Sequence, residues 1–256
     1  MKILTPKSLS VVLNILFITV AYIYTKPIYS WSLFGLKDIP TSTAIVPVTR
    51  QITLMLDPAG DAKYTGRTIE DHFERGITLA CAQELKTLIE SQENNIRVIL
   101  TRFPGETLEP LQNASFANRL QVDCYISLHF YAIEQAPYTF SVYHMLHKTT
   151  DIWHTKQKQL SFQTYDNAHL LSLPSTIKLG TEFIKALKPY ESDHHFTCNP
   201  LLGIPCKPLL GITAPALMFE IGITKKDDWR TLIEPLSMSI KHILSVLPQG
   251  KTDENT

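Results

Sequence analysis

The residues whose types could carry chemistry are scattered: Asp57, Gly60 and Asp61 near the start of an alternating region, then Glu74, His129 and Glu220. Carboxylates and imidazoles take up and return protons, and they ligate divalent metals. Alone, each has an ordinary explanation. A histidine ending a strand is usually just hydrogen-bonded, and a glutamate opening a helix is favoured by the helix dipole. Glu220 is harder to dismiss. It closes the apolar run PALMFEI (215–221), and a buried carboxylate is costly without a partner. Lys225, Lys226 and Arg102 are the cations considered for it.

The elements that must position these residues alternate in type. QITLML (51–56) reads as a strand stopped by Asp57-Pro58-Ala59-Gly60. Phe73 to Ser91 reads as a helix, with Ile77, Cys81, Leu85 and Leu88 as its buried stripe. RVILT (97–101), DCYISLH (123–129), TFSVYHML (139–146) and PALMFEI read as further strands, with helices over 111–120, 176–187 and 229–247. Such alternation predicts a three-layer α/β fold, a mostly parallel twisted sheet with helices on both faces. In such folds the site lies beyond the carboxyl ends of the strands. That rule alone selects Asp57, Gly60 and Asp61 after the first strand, His129 and Glu220 at the ends of theirs, and Glu74 at the nearby helix start. Asp57 is expected to brace the first turn. His144, His147, His154, His169 and His242 read as surface or loop residues.

Composition narrows the setting. The chain is 44% hydrophobic, which excludes general disorder, and its 24 basic and 24 acidic residues give no net charge. Nothing in that balance favours a nucleic-acid partner. Leu9 to Tyr24 carries no charge and follows Lys2 and Lys7. With less polar flanks it approaches the roughly 20 residues of a membrane span, so 1–26 is expected to be a transmembrane signal-anchor, a cleaved signal peptide being the competing reading. The lysines favour a cytoplasmic N-terminus and an exported body. Residues 27–50, with Pro27, Pro40 and Pro47, read as a linker, 51–247 as the domain, and 248–256 as a flexible tail. The polar stretch 147–166 reads as a loop or insertion. Cys81 and Cys124 read as buried thiols; Cys198 and Cys206 share the loop CNPLLGIPC and could be paired or free.

An ordered set of short motifs now becomes specific. LDPAGDA (56–62), Glu74 opening ERGITLACAQELKTLIE, LTR (100–102), Ala117-Asn118, Asp123, Ser127-Leu128-His129 and PALMFEIG (215–222) follow one another over nearly the whole domain. In order and spacing the set resembles the zinc-dependent N-acetylmuramoyl-L-alanine amidase family. The resemblance implies zinc held by Glu74, His129 and a turn histidine, with Glu220 as the catalytic acid/base. Catalytic zinc takes three N or O protein ligands, keeps one position for water and lowers that water's pKa. Peptidoglycan would be the substrate, cut between the lactyl group of N-acetylmuramic acid and L-alanine.

Two departures stand out. The turn histidine falls on Gly60 and the following glycine on Asp61; Phe130-Tyr131 replaces the asparagine often found after the S-I-H segment. Asp61, His72 or the His194-His195 pair would have to supply the third ligand. The expectation is therefore a membrane-anchored, peptidoglycan-directed amidase domain in the periplasm of a bacterial inner membrane, or secreted there. The alternatives are a pseudo-amidase that binds peptidoglycan or an envelope protein, and a different metal hydrolase using Asp61.

Overall fold

The apolar runs assemble into a seven-stranded sheet in a computed structural model, which describes residues 50–109, 111–146 and 164–247. The expected transmembrane segment, linker, tail and most of the 147–166 insertion lie outside the described residues. Within the described residues, no helix is long and apolar enough to cross a membrane. All of them fall in one compact unit, Val48–Thr256.

Strand β1 (Ile52–Pro58) is followed by a two-stranded ribbon, β2 (Thr68–Ile69) and β3 (His72–Phe73), and then helix α1 (Glu74–Gln92). β4 (Ile96–Leu100), α2 (Gln112–Leu120), β5 (Cys124–Ala132) and β6 (Tyr138–Met145) come next. After them run α3 (Leu173–Leu187), α4 (Glu191–His194), β7 (Phe196–Cys198), β8 (Leu202–Ile204), β9 (Ala216–Ile223) and α5 (Ile233–Ser245). The strand order is β4-β1-β5-β9-β6, with β7 and β8 both paired to the outer side of β6. Every pairing in this sheet is parallel except β6 with β9. The 133–137 connection explains that exception: a parallel return needs a crossover of roughly a dozen residues or more.

Alternation along β5 and β9 sorts side chains between two faces. Leu128, Phe130, Phe219 and Ile221 enter the larger core, beneath α1, α3 and α5. There the Phe183 and Phe219 rings stack at 4.3 Å between centroids, with Phe140 5.5 Å from Phe219. Tyr125 and Met218 face the opposite side, with Ala114 and Ala117 of α2, Leu209 and Ile212 in a smaller core. The helices therefore do cover both faces, but unevenly.

Two expectations change and one open alternative is decided. β5 and β9 run three residues past His129 and Glu220, pairing as far as Ala132 with Ile223, so those residues lie on the sheet face and not at its strand ends. His169 is buried, because 165–171 coils into a 3-10 turn that also buries Ala168. Cys198 and Cys206 are free thiols, one against each core, so the sheet separates them. Burial pushes both up to about 12.

Candidate functional site

The turn after β1 is pinned from several sides. Arg102 donates from Nε to the Pro58 carbonyl (3.0 Å) and from Nη2 to the carbonyls of Ala59 (3.0 Å) and Arg75 (2.8 Å). The Thr78 hydroxyl donates to Ala59 (2.8 Å), and Arg75 donates to the carbonyls of Asp61 and Ala62. Gly60 sits in this clamp at φ +75°, where a Cβ would lie 2.8 Å from Arg75 Cβ. Asp61 is buried beside it, and its carboxylate accepts the N–H groups of Lys63 (2.7 Å), Tyr64 (2.5 Å) and Leu108 (3.0 Å). Burial alone would raise the Asp61 carboxyl; those N–H groups and the nearby Arg102 charge outweigh it and hold it below the ordinary range.

Glu74 opens α1, yet its carboxylate turns away from the helix's own N–H groups. Oε2 accepts the Arg67 N–H (2.9 Å) and Oε1 the Phe130 N–H (3.0 Å). His129 Nδ1 lies 3.3 Å from the same Oε1. Burial raises the Glu74 carboxyl, but the His129 contact and the two N–H groups prevail and leave it lowered. On the other side of the ring, Nε2 is 3.2 Å from Ser127 Oγ, which donates to Asp57 Oδ2 (2.9 Å). Thr101 and Asn113 donate to Asp57 Oδ1 at 2.7 and 2.8 Å. So Asp57 braces β1 against β5, α2 and the residue after β4. Ser127, His129 and Glu74 connect as nucleophile, base and orienting acid would. Ser127, however, is fully buried and its hydrogen points to Asp57, so it is no nucleophile.

Glu220 pairs in register with His129 on the neighbouring strand. Its carboxylate nonetheless opens into a different space. His129 lines a cavity of about 410 Å³ with Asp57, Gly60, Tyr64 and Lys207. Glu220 lines a second of about 410 Å³ with Arg67, Thr68 and Tyr131. There Arg67 Nη2 meets Glu220 Oε1 at 2.5 Å, and the guanidinium lies 5.5 Å from the Tyr131 ring centre. The partner of Glu220 is thus Arg67, not Lys225, Lys226 or Arg102. A larger cavity, about 660 Å³ along β4, holds Lys86, Arg97 and Arg119 but no histidine, and the chemistry directs attention away from it.

The family model for N-acetylmuramoyl-L-alanine amidase matches residues 54–238, most of the chain. The chain belongs to that family. No curated protein sequence matches. Solved amidase structures share the fold at low identity. The catalytic domain of CwlV, an N-acetylmuramoyl-L-alanine amidase from Bacillus (Paenibacillus) polymyxa, is 15% identical, with 77% of this chain and 99% of that one covered and a TM-score of 0.53. The CwlD amidase of Clostridioides difficile, solved in complex with the GerS lipoprotein, is 18% identical over 77% of this chain and 100% of that one, with a TM-score of 0.54. Ami1 of Mycobacterium smegmatis is 13% identical over 77% and 98%, with a TM-score of 0.55.

The donor set does not fit the zinc that the amidase family implies. Glu74 and His129 meet, but Gly60 has neither a donor nor room for one, and the Asp61 carboxylate is already held by three backbone N–H groups. His72 sits in an exposed cluster with Asp71 (2.6 Å) and Lys226 (3.4 Å); His194 Nδ1 lies 2.8 Å from the Thr231 carbonyl oxygen. Among the described residues no group of three or more His, Cys, Asp or Glu is arranged to hold a metal. Arg67 is the residue that sequence reasoning missed. Its only signal is the Gly66 before it, in an irregular segment that shows no periodicity. Thr101 and Asn113 were missed as well, because neutral side chains acquire a role only from what they touch.

Proposed function

We propose that this amidase-family domain binds peptidoglycan through the site around Glu74 and His129 without hydrolysing it. The observation that carries this reading is the pinned Gly60 turn, which leaves Glu74 and His129 as two donors where catalytic zinc takes three. The cavity beside His129 remains open and carries Lys207 and the exposed Tyr64 ring on its rim, groups suited to an anionic, sugar-bearing polymer. In this reading Leu9–Tyr24 anchors the chain in the inner membrane and the domain works in the periplasm. The second reading, an active zinc amidase with Glu220 as acid/base, draws on the Glu74–His129 contact and the register pairing of His129 with Glu220.

One experiment separates them. The full chain is incubated with isolated peptidoglycan, and sedimentation, released stem peptides and bound zinc are measured together. Co-sedimentation with no release and no stoichiometric zinc is expected. One zinc per chain with peptide release would establish the second reading, and failure to sediment would leave an envelope protein as the partner to seek. Gly60→His is a poor restoration, since the left-handed backbone and Arg75 both oppose a side chain there.

A further inference from the structure

We infer that the Arg67 guanidinium is the resident counter-cation of Glu220, supplying internally to that carboxylate the positive charge that a metal at this site would bring. The inference rests on the reading of a domain without catalytic zinc and names what replaces the metal's charge.

Arg67 holds both acids, each through a different part: its backbone N–H binds Glu74 and its side chain binds Glu220. The approach to Glu74 is built into the chain. Gly66 has φ +76°, and a Cβ there would lie 2.7 Å from Glu74 Oε2, so glycine lets the segment carrying Arg67, just before β2, press onto that carboxylate. The guanidinium is also cradled. Tyr131 lies beneath it, and Tyr131 in turn lies against Gly222, where a Cβ would be 2.9 Å from the ring. Tyr131 belongs to one of the two departures from the family pattern and Gly60 to the other. Glu220 lies in register with His129 on the neighbouring strand, on the same face of the sheet, and His129 contacts Glu74. The Arg67 side chain is half exposed and the contact to Glu74 runs through the backbone N–H, so a truncated side chain at 67 still offers that donor.

The consequence is that Arg67 keeps Glu220 from joining Glu74 and His129 around a divalent cation. The test uses the full chain in detergent, stripped of metal with a chelator and titrated with zinc chloride by calorimetry, with thermal unfolding in zinc as a second readout. Arg67→Ala is expected to bind one zinc at least about tenfold more tightly than the unmodified chain, and Arg67→Ala with Glu220→Gln to lose that gain. Arg67→Gln keeps the backbone contact and removes only the charge, so it carries the same expectation if Arg67→Ala does not fold. No gain in the folded variant overturns the inference, as does a gain that survives Glu220→Gln. One-to-one zinc binding by the unmodified chain overturns both this inference and the reading beneath it, and is distinguishable because it needs no substitution.

Discussion

The two faces of the central sheet are made from the same strands, but one is packed with hydrocarbon throughout while the other sets a polar cluster beside a smaller apolar core. Towards α1, α3 and α5, β5 and β9 present Leu128, Phe130, Phe219 and Ile221 to a continuous hydrocarbon core. From the same segments Ser127, His129 and Glu220 point the other way, into hydrogen bonds and ion pairs. The two-residue period of a strand lets one stretch of chain build both. Stability is concentrated on one face and chemistry on the other, and substitutions should sort accordingly.

Phe183→Ala should cost the most, about 3–5 kcal/mol, because it empties a fully buried ring position packed on Phe140 and Phe219. Urea unfolding measures it, and a loss below about 1 kcal/mol would undo the assignment of stability to this face. On the polar face, Asp57→Ala removes the acceptor shared by Thr101, Asn113 and Ser127, and should cost about 3 kcal/mol. If it cost as much as Phe183→Ala, the polar face would be as structural as the core.

Asp61 gives a pH dependence whose sign follows from its lowered carboxyl. The unfolded chain holds the proton more tightly, so the stabilisation is complete above the unfolded pKa, about 4. It is lost as pH falls from there through the folded value. Unfolding free energy of the unmodified chain should therefore drop on acidification through that window, and Asp61→Asn should flatten the drop. An unchanged slope in the variant would remove the turn from the acid-sensitive part of the molecule. Arg67→Ala should change stability least, about 0–1 kcal/mol, because its ion pair with Glu220 is partly exposed. A larger loss would make Arg67 a structural brace. A small loss together with tighter zinc binding would set the function of this face apart from the stability of the other.

Glu74, His129 and Glu220 could be singled out in the sequence because each sits in a run whose periodicity announces a helix or strand, although His129 and Glu220 lie on the sheet face and not at the strand ends expected of them. The structure joins the first two directly. Of the predicted stripe Ile77, Cys81, Leu85 and Leu88, the first three are buried as their spacing predicts; Leu88 is only partly buried and Ile89 takes the core position beside it. Less legible were β7 and β8, three residues each inside a loop rich in Pro and Gly, too short for any pattern to rise above composition.

What the sequence determined by itself was the succession of elements and the family, since hydrophobic period and motif order are properties of neighbours along the chain. It also showed that position 60 lacks a histidine. Only the tertiary structure decided what that absence means, because Arg75, Tyr64, Arg102 and Thr78 converge on the turn from separate segments and leave no space there. The same holds for Glu220. A glutamate in an apolar strand states that a partner is needed, and the fold, by laying Gly66–Arg67 across Glu74 and beside Glu220, determined that the partner is an arginine far away in sequence.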